Sequence, residues 1–191
     1  MGSIINKIYW KRTCLIGDAI LPYIDSGTSV LDFGCSTMDV SRYVSSKKKI
    51  NLTGLDVTYY DIKDVNFIKY NGGKLPFNDG EFDVVLALFV LHHTDDPAFY
   101  LDELIRVSKS KILLCEDTYV NKIEKTINMV ADWILNYPYG RCDVAVNFKS
   151  LDEWKQLFYQ RKVELKILKR FYPHPFPLIP TRNMIMELRK T

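Results

Sequence analysis

Short aliphatic and β-branched runs alternate along the chain with longer stretches in which apolar residues return every three or four positions. SVLDF (29–33), INLTGLDV (50–57), VNFIKY (65–70), FDVVLALF (82–89) and KILLCE (111–116) predict strands, several of them apolar on both faces as in a buried parallel sheet. TMDVSRYVSSK (37–47) and DDPAFYLDELIRVSK (95–109) predict helices between them. In the second, Asp96 takes the N-cap position and Pro97 the first helical one, while Phe99, Leu101, Leu104, Ile105 and Val107 make an apolar stripe at helical spacing. Strand and helix in alternation predict an α/β chain with a doubly wound sheet, whose ligand sits beyond the carboxyl ends of the strands.

The last third changes character. NKIEKTINMVADWILNY (121–137) reads as a helix, and SLDEWKQLFYQ (150–160) opens on a capping box of Ser150 and Glu153. VELKILKRFY (163–172) and NMIMELRK (183–190) read as strands, separated by the proline-rich PHPFPLIP (173–180). That loop is stiff and cannot be helical, so the two strands are expected to pair antiparallel at one end of the sheet.

Composition narrows the classes. A chain of 191 residues suits a single domain with a sizeable core. Its 26 Lys+Arg against 23 Asp+Glu give +3, an ordinary balance that marks no nucleic-acid partner. The longest apolar run, VVLALFVL (84–91), falls short of the ~18 residues of a membrane span, so no membrane segment is expected. Charges and a Trp interrupt the N-terminal MGSIINKIYWKRTC, and Asn6 misses the hydroxyl residue of a myristoylation signal, so a cytoplasmic protein is expected. Cys14, Cys35, Cys115 and Cys142 are scattered with no C-x-x-C pair, which predicts reduced thiols and no metal site built on them. The run SSKKK (45–49) predicts a solvated helix end, its lysines suiting the negative pole of the helix.

Four stretches, in order, carry the chemistry. VLDFGC (30–35) ends a strand in an acid and a glycine and turns into a helix, with Ser36 and Met38 at the next alternate positions. LTGLDVT (52–58) places Asp56 at the end of the next strand, close to the ~20 residues beyond the glycine that a nucleotide-binding fingerprint asks for. YNGGKLPFNDGEFDVVLALFVLHHTDDP (70–97) combines a Leu-Pro-Phe turn, Phe82, Asp83, a buried strand, His92, His93 and Pro97. LDELIRVSKSKILLCEDT (101–118) adds Glu103 and Arg106 before a further strand.

Together these residues resemble the class I S-adenosylmethionine-dependent methyltransferases, especially those acting on small molecules, over about residues 29–117 and more loosely to the C-terminus. The resemblance implies a Rossmann-like, doubly wound, mostly parallel sheet with an antiparallel C-terminal strand. It divides the single domain 1–191 into an N-terminal helical cap (1–28), a cofactor-binding half (29–117) and an acceptor-side half (118–191). It implies S-adenosylmethionine as cofactor, contacted by Asp32, Gly34, Cys35, Ser36, Asp56, Val57, Asn71 and Leu88. Asp32 would lie beside the sulfonium or amino group, Asp56 would accept from the ribose hydroxyls, and the Asn71 amide would accept from the adenine amino group. Glu103 and Arg106 read as a structural pair.

The family's further glycines are Ser36 and Met38 here. A side chain in a left-handed conformation costs roughly 1–2 kcal/mol, and Met38 stands where it would fill space wanted by the cofactor or the first helix. For acid–base help in methyl transfer to a small-molecule acceptor, His92, His93 and Asp117 are the candidates. Adjacent histidines on an extended backbone point apart, so they are expected to make a poor metal pair, one facing the cleft and the other bonding the backbone. Glu116 and Asp117 read either as acceptor-orienting carboxylates or as solvated loop ends. NYPYG (136–140) reads as aromatic lining for the acceptor. The alternative function is a non-catalytic, methyltransferase-like binding or regulatory protein with weakened cofactor binding. The sequence leaves oligomeric state open.

Overall fold

The computed structural model describes residues 2–136, 147–171 and 182–190. In chain order these form α1 (Gly2–Ile20), β1 (Ser29–Phe33), α2 (Asp39–Lys47), β2 (Asn51–Asp56), β3 (Asn66–Lys69), β4 (Phe82–Leu88), α3 (Pro97–Val107), β5 (Ser108–Thr118), α4 (Lys122–Asn136), α5 (Leu151–Gln160), β6 (Val163–Phe171) and β7 (Arg182–Lys190), with 3-10 turns at Leu21–Tyr23 and Leu91–His93. NYPYG beyond Asn136 and the proline-rich 173–180, both expected to shape the acceptor side, lie outside the described residues.

One seven-stranded sheet runs β3-β2-β1-β4-β5-β7-β6. The first five strands are parallel, and β7 is antiparallel to both β5 and β6. This is the doubly wound, mostly parallel arrangement expected, with the C-terminal strand reversed. Strand order changes direction between β1 and β4, and at such a switch point the loops leaving the strand ends diverge and open a crevice.

Alternation along each strand divides the core between two faces. Leu31, Val85, Ile112, Leu114 and Met186 pack against Leu101, Leu104 and Val107 of α3 and Trp154 and Phe158 of α5. Val30, Val84, Leu86, Leu113 and Ile185 pack against Ile16 and Ile20 of α1 and Val44 of α2.

Local chemistry accounts for the element ends. Asp96 caps α3 by accepting from the Ala98 and Phe99 N–H groups, and Ser150 and Glu153 complete the expected capping box of α5. α3 hands over at once to β5, Ser108 closing the helix with its N–H on the Leu104 carbonyl. The lysine run is not simply solvated: Lys48 Nζ donates to the carbonyls of Leu21 at 2.9 Å and Ile24 at 2.6 Å, fixing the end of the 3-10 turn after α1.

The Glu103–Arg106 pair is structural, as read. Arg106 donates to both Glu103 oxygens and to the carbonyls of Leu75 and Phe77, while Glu103 Oε2 accepts the Leu75 N–H at 2.7 Å. One bidentate pair thereby holds the Leu-Pro-Phe turn on α3.

Met38, expected to fill space wanted by the cofactor or the first helix, packs against β2. Ser36 and Met38 adopt left-handed conformations with φ of 47° and 59°, so the turn keeps its path without glycines. Met38 is buried, and its Sδ lies only 2.5 Å from where a Cβ on Gly54 would stand. The side chain occupies the place left by the missing Gly54 side chain on β2. Because Met38 belongs to the turn, α2 begins at Asp39 and not at residue 37.

Gly34, at φ 63°, is constrained twice: a Cβ there would stand 2.0 Å from Val90 Cγ2. Gly34→Ala should therefore lose about 2–5 kcal/mol in denaturant unfolding, from the left-handed backbone and the overpacking together. In a double-mutant cycle with Val90→Ala the two changes should couple by at least about 1 kcal/mol, and strict additivity would show that the Val90 contact plays no part.

Candidate functional site

The carboxyl ends of β1, β2, β4 and β5 gather two sets of polar groups. The first lies over β1 and β2. Asp32 is buried, and one of its oxygens accepts the Ser41 hydroxyl of α2 at 2.5 Å. Burial pushes its carboxyl up to about 7, with the hydrogen bond to Ser41 opposing the shift and the negative Asp56 adding to it. Beyond β1, the N–H groups of Gly34 and Cys35 both point to the Leu55 carbonyl, at 2.8 and 3.3 Å.

Asp56 then joins two loops. Its Oδ2 accepts the Ser36 N–H and its Oδ1 the Thr58 N–H, both at 2.8 Å. A carboxylate has about four lone-pair sites, so one on each oxygen stays open to a further donor. Val57, next along, is 55% exposed. Asn71 is exposed just past β3, where the Tyr70 N–H meets the Asp56 carbonyl at 3.1 Å. Leu88 is half-buried at the end of β4, and Phe89 follows at φ 57° with its N–H on the Cys115 carbonyl. Asp32, Gly34, Cys35, Ser36, Asp56, Val57, Asn71 and Leu88 thus stand at or just beyond three neighbouring strand ends and the edge strand beside them.

The second set centres on the turn after β4. The expectation of an extended backbone with histidines pointing apart is wrong: Leu91–His93 is a 3-10 turn, and the two rings lie 4.1 Å apart between centroids. The cause is Glu116, which is fully buried at the end of β5. Its Oε1 accepts the Leu91 N–H at 2.8 Å and its Oε2 meets His92 Nδ1 at 2.5 Å. Glu116 is therefore no solvated loop end. His92 is itself buried and stacks on Phe148 at 4.6 Å. Among the described residues neither ring bonds the backbone: His93 Nε2 faces Asp132 Oδ1 of α4 at 3.5 Å, and His93 Nδ1 is buried with no hydrogen-bond partner among them.

Asp117 points to the opposite side of β5 from Glu116 and accepts the Asn183 side-chain amide of β7. Burial pushes its carboxyl up to about 6, while His92 and Arg12 draw it back. Burial and the neighbouring His92 push His93 down to about 3, whereas the attraction of Glu116 carries His92 upward against the effect of its own burial.

The sequence reading missed Ser41, Gly54, Asp132 and Asn183. Asp132 had one signal, since it stands one helical turn from Asn128, a polar residue that is buried. Glu116 was legible too, standing in the inward register of Ile112 and Leu114, where an unpaired charge is not tolerated.

Asp32 leads to a pH effect. Its pKa is raised from the ordinary 3.8 to about 7 on folding, so its contribution is full below about pH 4 and is lost as pH rises toward 7. Asp32→Asn removes the titration. The fall in Tm of the unliganded protein between pH 4 and 7 should be shallower in the variant than in the parent, and parallel curves would show that Asp32 is ionised throughout.

Residues 31–115 match the model of a family described as a methyltransferase domain. The chain is 33% identical over 148 residues to the 2-methyl-6-phytyl-1,4-hydroquinone methyltransferase of Synechocystis, covering 70% of this chain and 42% of that protein. It is 34% identical over 136 residues to the demethylmenaquinone methyltransferase of Listeria monocytogenes, covering 62% of this chain and 56% of that one. The chain thus spans about half the length of the curated relatives it matches. In fold it is similar to Burkholderia thailandensis 1,6-didemethyltoxoflavin-N1-methyltransferase, solved with 1,6-didemethyltoxoflavin and S-adenosylhomocysteine, with a TM-score of 0.69 at 14% identity over 94% of this chain and 78% of that one.

Proposed function

Because the chain carries a methyltransferase domain of the class I, S-adenosylmethionine-dependent kind, we propose that it transfers a methyl group to a small-molecule acceptor held between the Leu91–His93 turn and α4. The observation that carries this reading is the pair of carboxylates at the ends of β1 and β2. Asp32 is a buried carboxylate for which a cationic group is the natural partner, and Asp56 has the open lone pairs that two vicinal hydroxyls use. The donor set fits S-adenosylmethionine, which carries a sulfonium, an amino group and a ribose. When bound, that cofactor supplies an already activated methyl group.

The chain's own residues then position and enclose. Gly34, Cys35 and Ser36 bring backbone close to the cofactor, Val57 and Leu88 flank it, and the Asn71 amide accepts from the adenine amino group. His92, His93 and Asp117 stand on the acceptor side. Asp117, oriented by Asn183, is the group suited to take a proton from an acceptor hydroxyl near neutral pH. Alignment of the acceptor in a site shielded from water supplies most of the remaining rate. The names of the relatives make quinols the first acceptor class to assay. The alternative of a non-catalytic scaffold rests on Ser36 and Met38, and it weakens because both residues fit the turn.

Calorimetric titration with S-adenosylmethionine and S-adenosylhomocysteine should show micromolar binding, at least tenfold weaker in Asp56→Ala. Folded protein that gives neither heat nor a thermal shift with either ligand would overturn the reading. Once an acceptor is found, Asp117→Asn should lower kcat by about 100-fold with cofactor affinity unchanged.

A further inference from the structure

We propose that His92, His93 and Asp132 form a binding site for a divalent first-row transition metal ion, between the Leu91–His93 turn and α4. A ring nitrogen of each histidine and a carboxylate oxygen of Asp132 lie within 4.8 Å of one another. Two imidazoles and one carboxylate are a donor set taken by zinc and by non-haem iron, with coordination positions left open for an outside ligand.

The geometry around the histidines points the same way. Glu116 occupies His92 Nδ1 at 2.5 Å, which fixes the ring and leaves Nε2 as the nitrogen that a metal would use. A carboxylate behind a histidine is the usual support of a metal ligand, because it sets the tautomer and raises basicity. His93 Nε2 and Asp132 Oδ1 are 3.5 Å apart, beyond the 2.7–3.2 Å of a good N–H to O hydrogen bond. Bonds of about 2.0–2.2 Å to one tetrahedral metal would place two ligands roughly 3.3–3.5 Å apart, so this pair is already at the spacing of a shared ion. The remaining separations, bounded by 4.8 Å, close with a shift of roughly 1 Å in the rings.

Charge agrees with this. Three carboxylates, Glu116, Asp117 and Asp132, act on His92, and the cation drawing on Asp117 from α1 is Arg12. A dication inserted at the histidines would meet this negative field.

Bound there, the ion would offer an open position to an acceptor oxygen and favour its ionised form. That role rests on the methyl-transfer reading, whereas the site itself does not. The test therefore uses the metal alone. Protein free of any histidine tag, without cofactor or acceptor, is titrated with Co2+ and followed by calorimetry and visible absorption. The expected result is one ion per chain, with the ligand-field bands of a four- or five-coordinate nitrogen and oxygen site. Affinity should fall at least tenfold in His93→Ala and in Asp132→Ala, and about 10–100-fold in Glu116→Gln. Circular dichroism and thermal unfolding of each variant report whether it has folded. Absence of a saturable Co2+ signal in the folded parent, or a signal undiminished in folded His93→Ala and Asp132→Ala, would overturn the proposal. Thiolate charge-transfer absorption in place of ligand-field bands would overturn it equally, by assigning the ion to cysteine.

Discussion

Glu116 is the point on which the strand-end edge is organised. A carboxylate taken fully out of water is costly unless both oxygens find donors, and both do: the Leu91 N–H and the His92 ring. Meeting that demand requires the chain leaving β4 to coil back over β5, which produces the 3-10 turn and swings two adjacent histidines to one side. Removing either partner would leave a charge stranded beside the sheet. The same constraint recurs at β1 and β2, where Asp32 takes the Ser41 hydroxyl and Asp56 takes two backbone N–H groups. Three inward-facing carboxylates at the carboxyl ends of parallel strands thus shape the loops that follow them.

This explains which parts of the molecule could be read from the sequence. The parallel strands are apolar on both faces, so they were visible as runs. Asp96, Pro97, Ser150 and Glu153 cap helices by contacts within a few residues, and those ends were visible as well. The Leu-Pro-Phe turn and its Glu103–Arg106 clasp were recognisable as a pattern, although the bonds that make it work join residues far apart in the chain. What failed to show was anything decided by a distant partner. The fit of Met38 depends on the absence of a side chain at Gly54. The conformation of His92 and His93 depends on Glu116, and the face that Asp132 presents depends on where α4 lands. A local rule, that neighbouring side chains diverge on an extended backbone, gave the wrong answer because a buried carboxylate decided the backbone instead.

The two polar sets along this edge have opposite needs, and that difference organises the chemistry. At β1 and β2, Asp32 is held in conditions that raise its pKa, so it gains most from a positively charged partner. At β4 and β5, the two histidines stand near Glu116, Asp117 and Asp132. Burial raises Asp117 toward neutrality and lowers His93. One group is poised to exchange a proton near neutral pH, and the other stays unprotonated and able to donate a lone pair.

The arrangement therefore separates two tasks that a single open cleft would confuse. The rigid loops over β1 and β2 are stitched through Asp56 and fixed by backbone hydrogen bonds, which suits a ligand that every turnover uses. α4, by contrast, turns Asn128 and Ala131 inward while Ile123, Val130, Trp133 and Ile134 lie exposed along its outer side. It meets the histidine turn through Asp132 on that inner face. Little apolar burial fixes this helix, so the contact between His93 and Asp132 weighs more in its position than the same contact would in a packed core. A group that draws those two side chains together would tighten α4 against the Leu91–His93 turn and leave the β1–β2 loops as they are. The position of α4 is in this way coupled to the 3.5 Å contact between His93 and Asp132, at the junction between the sheet edge and the helix.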